Sequence, residues 1–293
     1  MTLTAKQRER RKTALGASDI PAIIGKDPFR SAYDLWLDKS GRLPEPDAAE
    51  EHDRFAVNNA LEPAILQLSA MKLGRPVVKP TATFTHGAGI LLANVDGMVE
   101  KFAKGQPIVE AKSTSIAEGW GEPDSDQVPS RVLIQVQMQM LCSSSKVAYV
   151  ARLLGQFGFK FEMYRVEFNE KLAAELLRRA HAFWTDHVEA DVAPEVTPFN
   201  IPDIDLLSQI DREDKAVEIP AEIIEQFIAL NRARIDAEKA EEEAKARLIA
   251  ALGDGNRGEC PGFNVKSMLV KTSKFNAKQL EVAHPDLFNS FKR

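Results

Sequence analysis

Asp96-Gly97 and, after a short gap, Ile108-Val109-Glu110-Ala111-Lys112 are the residues on which the reading of this chain turns. In an extended strand successive side chains alternate between faces, so Glu110 and Lys112 share one face while Val109 and Ala111 point the other way, into the core. Lys104-Gly105-Gln106 reads as a short hairpin loop between strands Met98 to Phe102 and Pro107 to Lys112, with glycine at the left-handed position. A three-residue loop pairs even positions with even positions across the hairpin. Asp96 then projects onto the face of Glu110 and Lys112, and two carboxylates and an ammonium converge beside apolar strands.

Working outward, the pattern predicts an α/β fold with a mixed central sheet flanked by helices and a mostly helical C-terminal appendage. On the N-terminal side, Ser18 is a natural cap for a helix carrying Ile20, Ile23 and Ile24, and Ser31 opens a helix to Ser40 that Gly41 ends. Apolar spacing through Phe55, Leu61, Ile65 and Leu68 predicts a longer helix from His52 to Lys72. Strand character follows from Thr81 to Thr85 and Ile90 to Val95. Beyond Lys112, helical spacing covers Arg131 to Leu141, strands cover Lys146 to Leu153 and Phe159 to Phe168, and a helix runs from Glu170 to Val188. Pro194, Pro198 and Pro202 punctuate the chain, which places a boundary between residues 1–198 and 199–293. Past it, Pro220 to Leu252 reads as one long exposed helix or a helical pair without a sustained heptad, and Gly262 to Val270 as a strand.

The 293 residues, 44% hydrophobic and 28% charged, suit a chain that buries a substantial core. No apolar run is long enough to span a bilayer and no signal-type block follows the basic start, so a cytoplasmic protein is expected. Two cysteines, Cys142 and Cys260, provide neither a disulfide framework nor a four-cysteine cluster. The five histidines show no metal-ligand spacing, and Trp36, Trp120 and Trp184 read as core or rim aromatics. A net charge of -5 argues against a protein that simply coats nucleic acid. Cations nevertheless crowd the first residues (Lys6, Arg8, Arg10, Arg11, Lys12) and the tail from Asn264 is net basic. An acidic middle with basic surroundings is what a site holding a cation against phosphates needs.

Asp96, Glu110 and Lys112 suit magnesium-assisted phosphodiester hydrolysis. Magnesium takes about six oxygen ligands and accepts only a few carboxylates; Asp96, Glu110 and the Ala111 carbonyl can supply them. The ion acidifies a water and offsets phosphate charge, and Lys112 orients or deprotonates that water or steadies the pentavalent phosphorus. An acidic residue, a gap and Glu-x-Lys is a weak pattern alone.

Further motifs occur in order: Gly16-Ala17-Ser18-Asp19-Ile20, Asn59-Ala60-Leu61-Glu62-Pro63, Asp96-Gly97, Glu110-Ala111-Lys112, Trp120, Val128-Pro129 and Gln135-Val136-Gln137. Together they resemble the YqaJ-type viral recombinases, relatives of phage lambda exonuclease in the PD-(D/E)xK nuclease superfamily, over about the first two thirds of the chain. The resemblance implies that Asp96 and Glu110 are metal ligands, Lys112 the catalytic lysine, Glu62 a ligand of a second ion and Gln135 a partner of the lysine. It also implies that Arg11 and Ser18 receive a terminal 5′ phosphate. Asn58 and Val132 depart from the family's usual glycine and tyrosine, which bears on helix packing more than on chemistry. The implied activity is magnesium- or manganese-dependent digestion of double-stranded DNA from 5′ ends, leaving 3′ single strands for an annealing protein. A phage or prophage origin in a bacterial cell and a homo-oligomer, in some relatives a ring around DNA, go with it. An endonuclease on the same core and a catalytically silent DNA-binding adaptor are the alternatives.

Overall fold

The computed structural model describes residues 13–43, 48–87, 89–155, 158–198, 200–208, 210, 212, 214–266 and 284–285, with backbone alone for 48–55. Its chain divides into two compact units, Met1–Glu213 and Asp214–Arg293.

The first unit is built on a five-stranded sheet in the order β2 (Val77–Val78), β5 (Gly97–Val99), β6 (Ile108–Thr114), β7 (Val147–Gly155), β8 (Phe159–Glu167). Only β6 and β7 run parallel; every other neighbouring pair is antiparallel. A parallel pair needs a crossover, and α4 (Ser130–Ser143) provides it. A smaller sheet joins β1 (Leu15–Gly16), β4 (Leu91–Ala93) and β3 (Phe84–His86).

Alternation along β6 sends its side chains into two separate cores. Val109 joins Val99, Ala151, Leu153 and Met163 beneath Ile65 and Leu66 of α3 (Ala48–Leu73). Ile108 joins Ala148, Val150, Tyr164 and Val166 against Val136 and Met140 of α4 and Leu176 and Ala180 of α5 (Glu170–Phe183). The sheet is therefore covered on both faces, and Glu110 at 3% exposure lies between layers.

The hairpin register is Gly97↔Val109 and Met98↔Ile108, the even-to-even parity expected. The connection, however, is longer than three residues, because β5 stops at Val99. Glu100 turns out of the strand at φ 68°, its amide donating to Pro76 O at 2.7 Å and its carboxylate bonded by Arg75. Gly105 is left-handed at φ 83° and its amide donates to Ser143 O at 2.9 Å.

Ser18 does not cap the first helix. α1 (Ile20–Ile23) has Asp19 at its N-cap, and the Asp19 carboxylate turns back to accept the Gly16 amide at 2.8 Å. Ser31 does open α2 (Ala32–Lys39), with a reciprocal Ser31/Asp34 capping box. The α5 helix passes into a π-helical turn, Trp184–Glu189.

The compact division falls after Glu213, past the proline-marked position near 198. Asn200 Oδ1 accepts the Tyr33 amide at 2.9 Å, and Asp34 Oδ1 accepts the Asp203 amide at 2.8 Å. Leu207 of α6 (Ile204–Ser208) then packs on the main core. The second unit holds α7 (Ala221–Ala251), which buries none of its residues, and a hairpin of β9 (Arg257–Cys260) and β10 (Phe263–Lys266). The sequence showed only the second of those strands.

Candidate active site

Glu110 is held from three directions. Lys112 Nζ and Gln135 Nε2 each donate to its Oε1 at 2.6 Å, and Gln139 Nε2 donates to its Oε2 at 2.7 Å. Lys112 Nζ also donates to Gln135 Oε1 at 3.0 Å, so Lys112, Glu110 and Gln135 close a ring. Two elements build it: β6 supplies residues two apart on one strand face, and α4 supplies residues four apart on one helix face. A carboxylate at this depth needs such donors, since burying it unpaired costs several kcal/mol, on the order of a whole domain's margin.

Asp96 sits just before β5, and its Oδ2 accepts the Ala111 amide at 2.8 Å. Ala111 thus meets the site through its N–H. Burial and then the nearby Glu110 carboxylate push the Asp96 carboxyl well above the ordinary range, Glu62 adding to this against the pull of Lys112 and the Ala111 amide. Gly97 makes the position reachable: a Cβ there would lie 2.6 Å from Val77 Cγ1 and 2.9 Å from Leu66 Cδ2, so only a hydrogen lets α3 and β2 close on the strand.

Glu62, on α3, is 6% exposed and its Oε1 accepts from Lys79 Nζ at 2.6 Å. It faces Asp96 closely enough to act on it electrostatically. Ser18 is exposed, and Arg11 lies outside the described residues, as do the other basic residues of the first twelve.

The structure adds groups that the sequence did not single out. Gln135, expected beside the lysine, is buried at 9%, and Gln137 and Gln139, which were assigned no role, are buried at 1% each. Gln139 Nε2 bridges Glu110 and Asn94 O, the latter at 3.0 Å, and its Oε1 is buried without a hydrogen-bond partner. Gln137 faces away, donating to Glu167 O and accepting the Asn169 amide. Arg152, the β7 register partner of Lys112, donates through Nε to Glu162 Oε2 at 2.8 Å and stacks 4.6 Å from the Trp120 ring centroid. Burial would raise Glu162, but hydrogen bonds from Lys160, Arg152 and Tyr164 overcome it and hold the carboxyl below its usual range. Burial also pushes the Tyr164 phenol up to about 12.

Asp96 and Glu110 have the hard oxygen donors that suit magnesium or manganese. Among the described residues no group of three or more His, Cys, Asp or Glu is gathered tightly enough to hold a metal ion. Glu62 is ion-paired with Lys79. Cys142 is buried, its thiol pushed up to about 12 by that burial, and Cys260 is exposed.

Residues 7–146 match the model of the YqaJ-like viral recombinase domain. Over 293 residues, the chain is 25% identical to the uncharacterized protein YqaJ of Bacillus subtilis (strain 168), covering 97% of this chain and 89% of the relative. Among solved structures it is similar to an alkaline exonuclease from Laribacter hongkongensis, with a TM-score of 0.49 and 19% identity over 64% of this chain and 94% of that one. A putative exonuclease from Eubacterium rectale is similar with a TM-score of 0.46 and 10% identity over 75% of this chain and 96% of that one.

Proposed function

We propose that this chain is a metal-dependent nuclease that digests double-stranded DNA from 5′ ends and leaves 3′ single strands for a recombination partner. The observation that carries the reading is the closed ring of Lys112, Glu110 and Gln135 with Asp96 bound to the same strand's backbone. A structural ion pair has no need of a second carboxylate pushed against the first.

Asp96 and Glu110 would hold the ion, which supplies Lewis-acid charge to the scissile phosphate and to the attacking water. Lys112 Nζ, fixed between Glu110 Oε1 and Gln135 Oε1, holds a positive charge where phosphate charge builds up and can orient the water or pass its proton. Gln135 keeps the ammonium from swinging toward solvent. Gln139 fixes the other oxygen of Glu110, so that the carboxylate cannot rotate. Hydrolysis breaks the P–O3′ bond: water adds to phosphorus, loses a proton, and the departing 3′ oxygen takes one up. A second ion at Glu62 would have to displace Lys79.

Direction belongs to a separate pocket, for which Arg11 and Ser18 are the proposed 5′-phosphate ligands. An annealing protein as partner and a homo-oligomer, which as a ring would keep a net-acidic chain on its substrate by topology, complete the reading.

The test is degradation of one duplex as a linear molecule with 5′-phosphate or 5′-hydroxyl ends and as a covalently closed circle, with magnesium, with manganese and with chelator. The expected outcome is metal-dependent loss of the linear form, faster from phosphorylated ends, with the circle intact. Lys112→Ala should lower the rate by about a thousandfold, equivalent to roughly 4 kcal/mol of transition-state stabilisation. Cutting of the circle would replace the exonuclease with an endonuclease, and digestion in chelator would remove the metal from the scheme.

A further inference from the structure

Phe29 is 70% exposed. A lone exposed aromatic is ordinary, but this one is held in place from both sides. Its own amide donates to Asp27 Oδ1 at 3.0 Å, which fixes the turn before it. The next residue, Arg30, is anchored by Asp38 Oδ2 at 2.7 Å and Asp19 Oδ1 at 3.3 Å. The ring therefore stands out from a braced loop instead of folding onto the core.

The Arg131 guanidinium lies 5.4 Å from the Phe29 ring centroid. Arg131 is the second residue of α4, where the helix macrodipole disfavours a cation, and among the described residues no carboxylate pairs with it. It gains little there as a stabilising residue. It does lie one helical turn before Gln135 and two before Gln139 on the same face of α4, so the row 131, 135, 139 runs outward from Glu110 and past Lys112. Ring and guanidinium therefore lie at the Lys112 end of that row, one turn of α4 beyond Gln135.

We propose that Phe29 and Arg131 form a stacking platform for the nucleic-acid strand that enters the Glu110–Lys112 site, resting on the nuclease reading above. Arg131 takes a backbone phosphate, and the ring takes the face of the neighbouring base, a contact that tolerates any sequence because every base presents a π face. This suits an enzyme that must advance along DNA without selecting a site.

The experiment uses the full chain and a short 5′-phosphorylated, fluorescein-labelled duplex, with binding read by anisotropy in calcium and degradation in magnesium. Phe29→Ala should weaken binding and raise KM by about tenfold, with kcat changed by less than about threefold. Phe29→Trp should restore both. Phe29→Leu, apolar but without a π face, should behave like Phe29→Ala. Arg131→Gln should reduce the slope of log affinity against log salt by about one, a readout that a purely structural residue would not move. Melting temperatures of all variants should stay near wild type, since Phe29 packs on no core. Binding by Phe29→Ala within about twofold of wild type, or rescue by leucine equal to that by tryptophan, overturns the platform while the nuclease reading stands. A wild-type chain that neither binds nor cuts the duplex overturns both.

Discussion

Gly97→Ala isolates how the packing beneath the sheet positions the site. The added Cβ would lie 2.6 Å from Val77 Cγ1, 2.9 Å from Leu66 Cδ2 and 3.4 Å from Val109 Cβ. The first two separations are shorter than real carbon contacts allow, and both partners are branched side chains packed in the α3-side core. Overpacking of this kind costs about 1 to 3 kcal/mol. For a unit of about 200 residues that corresponds to a melting temperature lower by roughly 2 to 12 °C. Because Asp96 is the adjacent residue and is tied to Ala111, relief by moving β5 also shifts its carboxylate, and a displacement near 1 Å costs up to about a hundredfold in rate. The assay is thermal and denaturant unfolding, together with duplex degradation, for Gly97→Ala, Val77→Ala and the pair. Val77→Ala removes the nearest obstacle, so the double variant should be more stable than the sum of single losses predicts, by at least about 1 kcal/mol. Simple additivity would show that the close approach of Val77 to Gly97 is not what fixes the glycine.

Three further expectations follow from the site. Gln139→Ala should lower the degradation rate by about ten- to a hundredfold with little change in DNA affinity, because it frees one oxygen of Glu110; an unchanged rate would make Gln139 a packing residue only. Asp96 has a folded pKa above its ordinary value, so its contribution to stability is full below the ordinary carboxylate range and is lost as pH rises through the folded value. In chelator at neutral pH, Asp96→Asn should therefore melt above wild type while losing activity, and a lower melting temperature would refute the account of a strained carboxylate pair. Glu162 has the opposite sign: its folded pKa lies below the ordinary value, so its stabilisation is present above about pH 4.3 and is lost as pH falls through the folded value. The gap in melting temperature between wild type and Glu162→Gln should close in acid, and a gap that persists at the lowest pH would assign it to shape instead of charge.

What was legible in the sequence depended on how locally each feature is determined. The alternation of Ile108 to Lys112 specified which side chains share a face, and the parity of Asp96 with Glu110 held even though the connecting loop is longer than three residues, because Glu100 leaves the strand early. The Ser31 cap was equally local, its partner Asp34 being one turn away. Ser18 failed as a cap because Asp19 occupies that position while its carboxylate serves the Gly16 amide, a competition between neighbours of similar chemistry. The glutamines of α4 were harder still. The motif marked Gln135, but Gln137 and Gln139 look like ordinary polar helix residues, and only the crossover onto β6 and the docking of β8 show that each amide meets a buried partner. Arg152 and Glu162 gave no signal at all, since their pairing arises from the β7–β8 register. The first strand of the β9–β10 hairpin, Arg257–Cys260, lacks the apolar alternation by which strands are read.

The Asp34 carboxylate, introduced as half of a capping box, has a consequence for where the first unit can be cut. Its Oδ2 accepts from both the amide and the hydroxyl of Ser31, while its Oδ1 accepts the Asp203 amide. One side chain, 3% exposed, therefore fastens the start of α2 to a segment about 170 positions later in the sequence. A chain ended at 198 would leave Asp34 Oδ1 and the Tyr33 amide without these partners, at about 1 to 3 kcal/mol for each unsatisfied group. The proline-marked position is thus a bend in a segment that still belongs to the first unit, and a shortened protein meant to fold independently should run to Glu213.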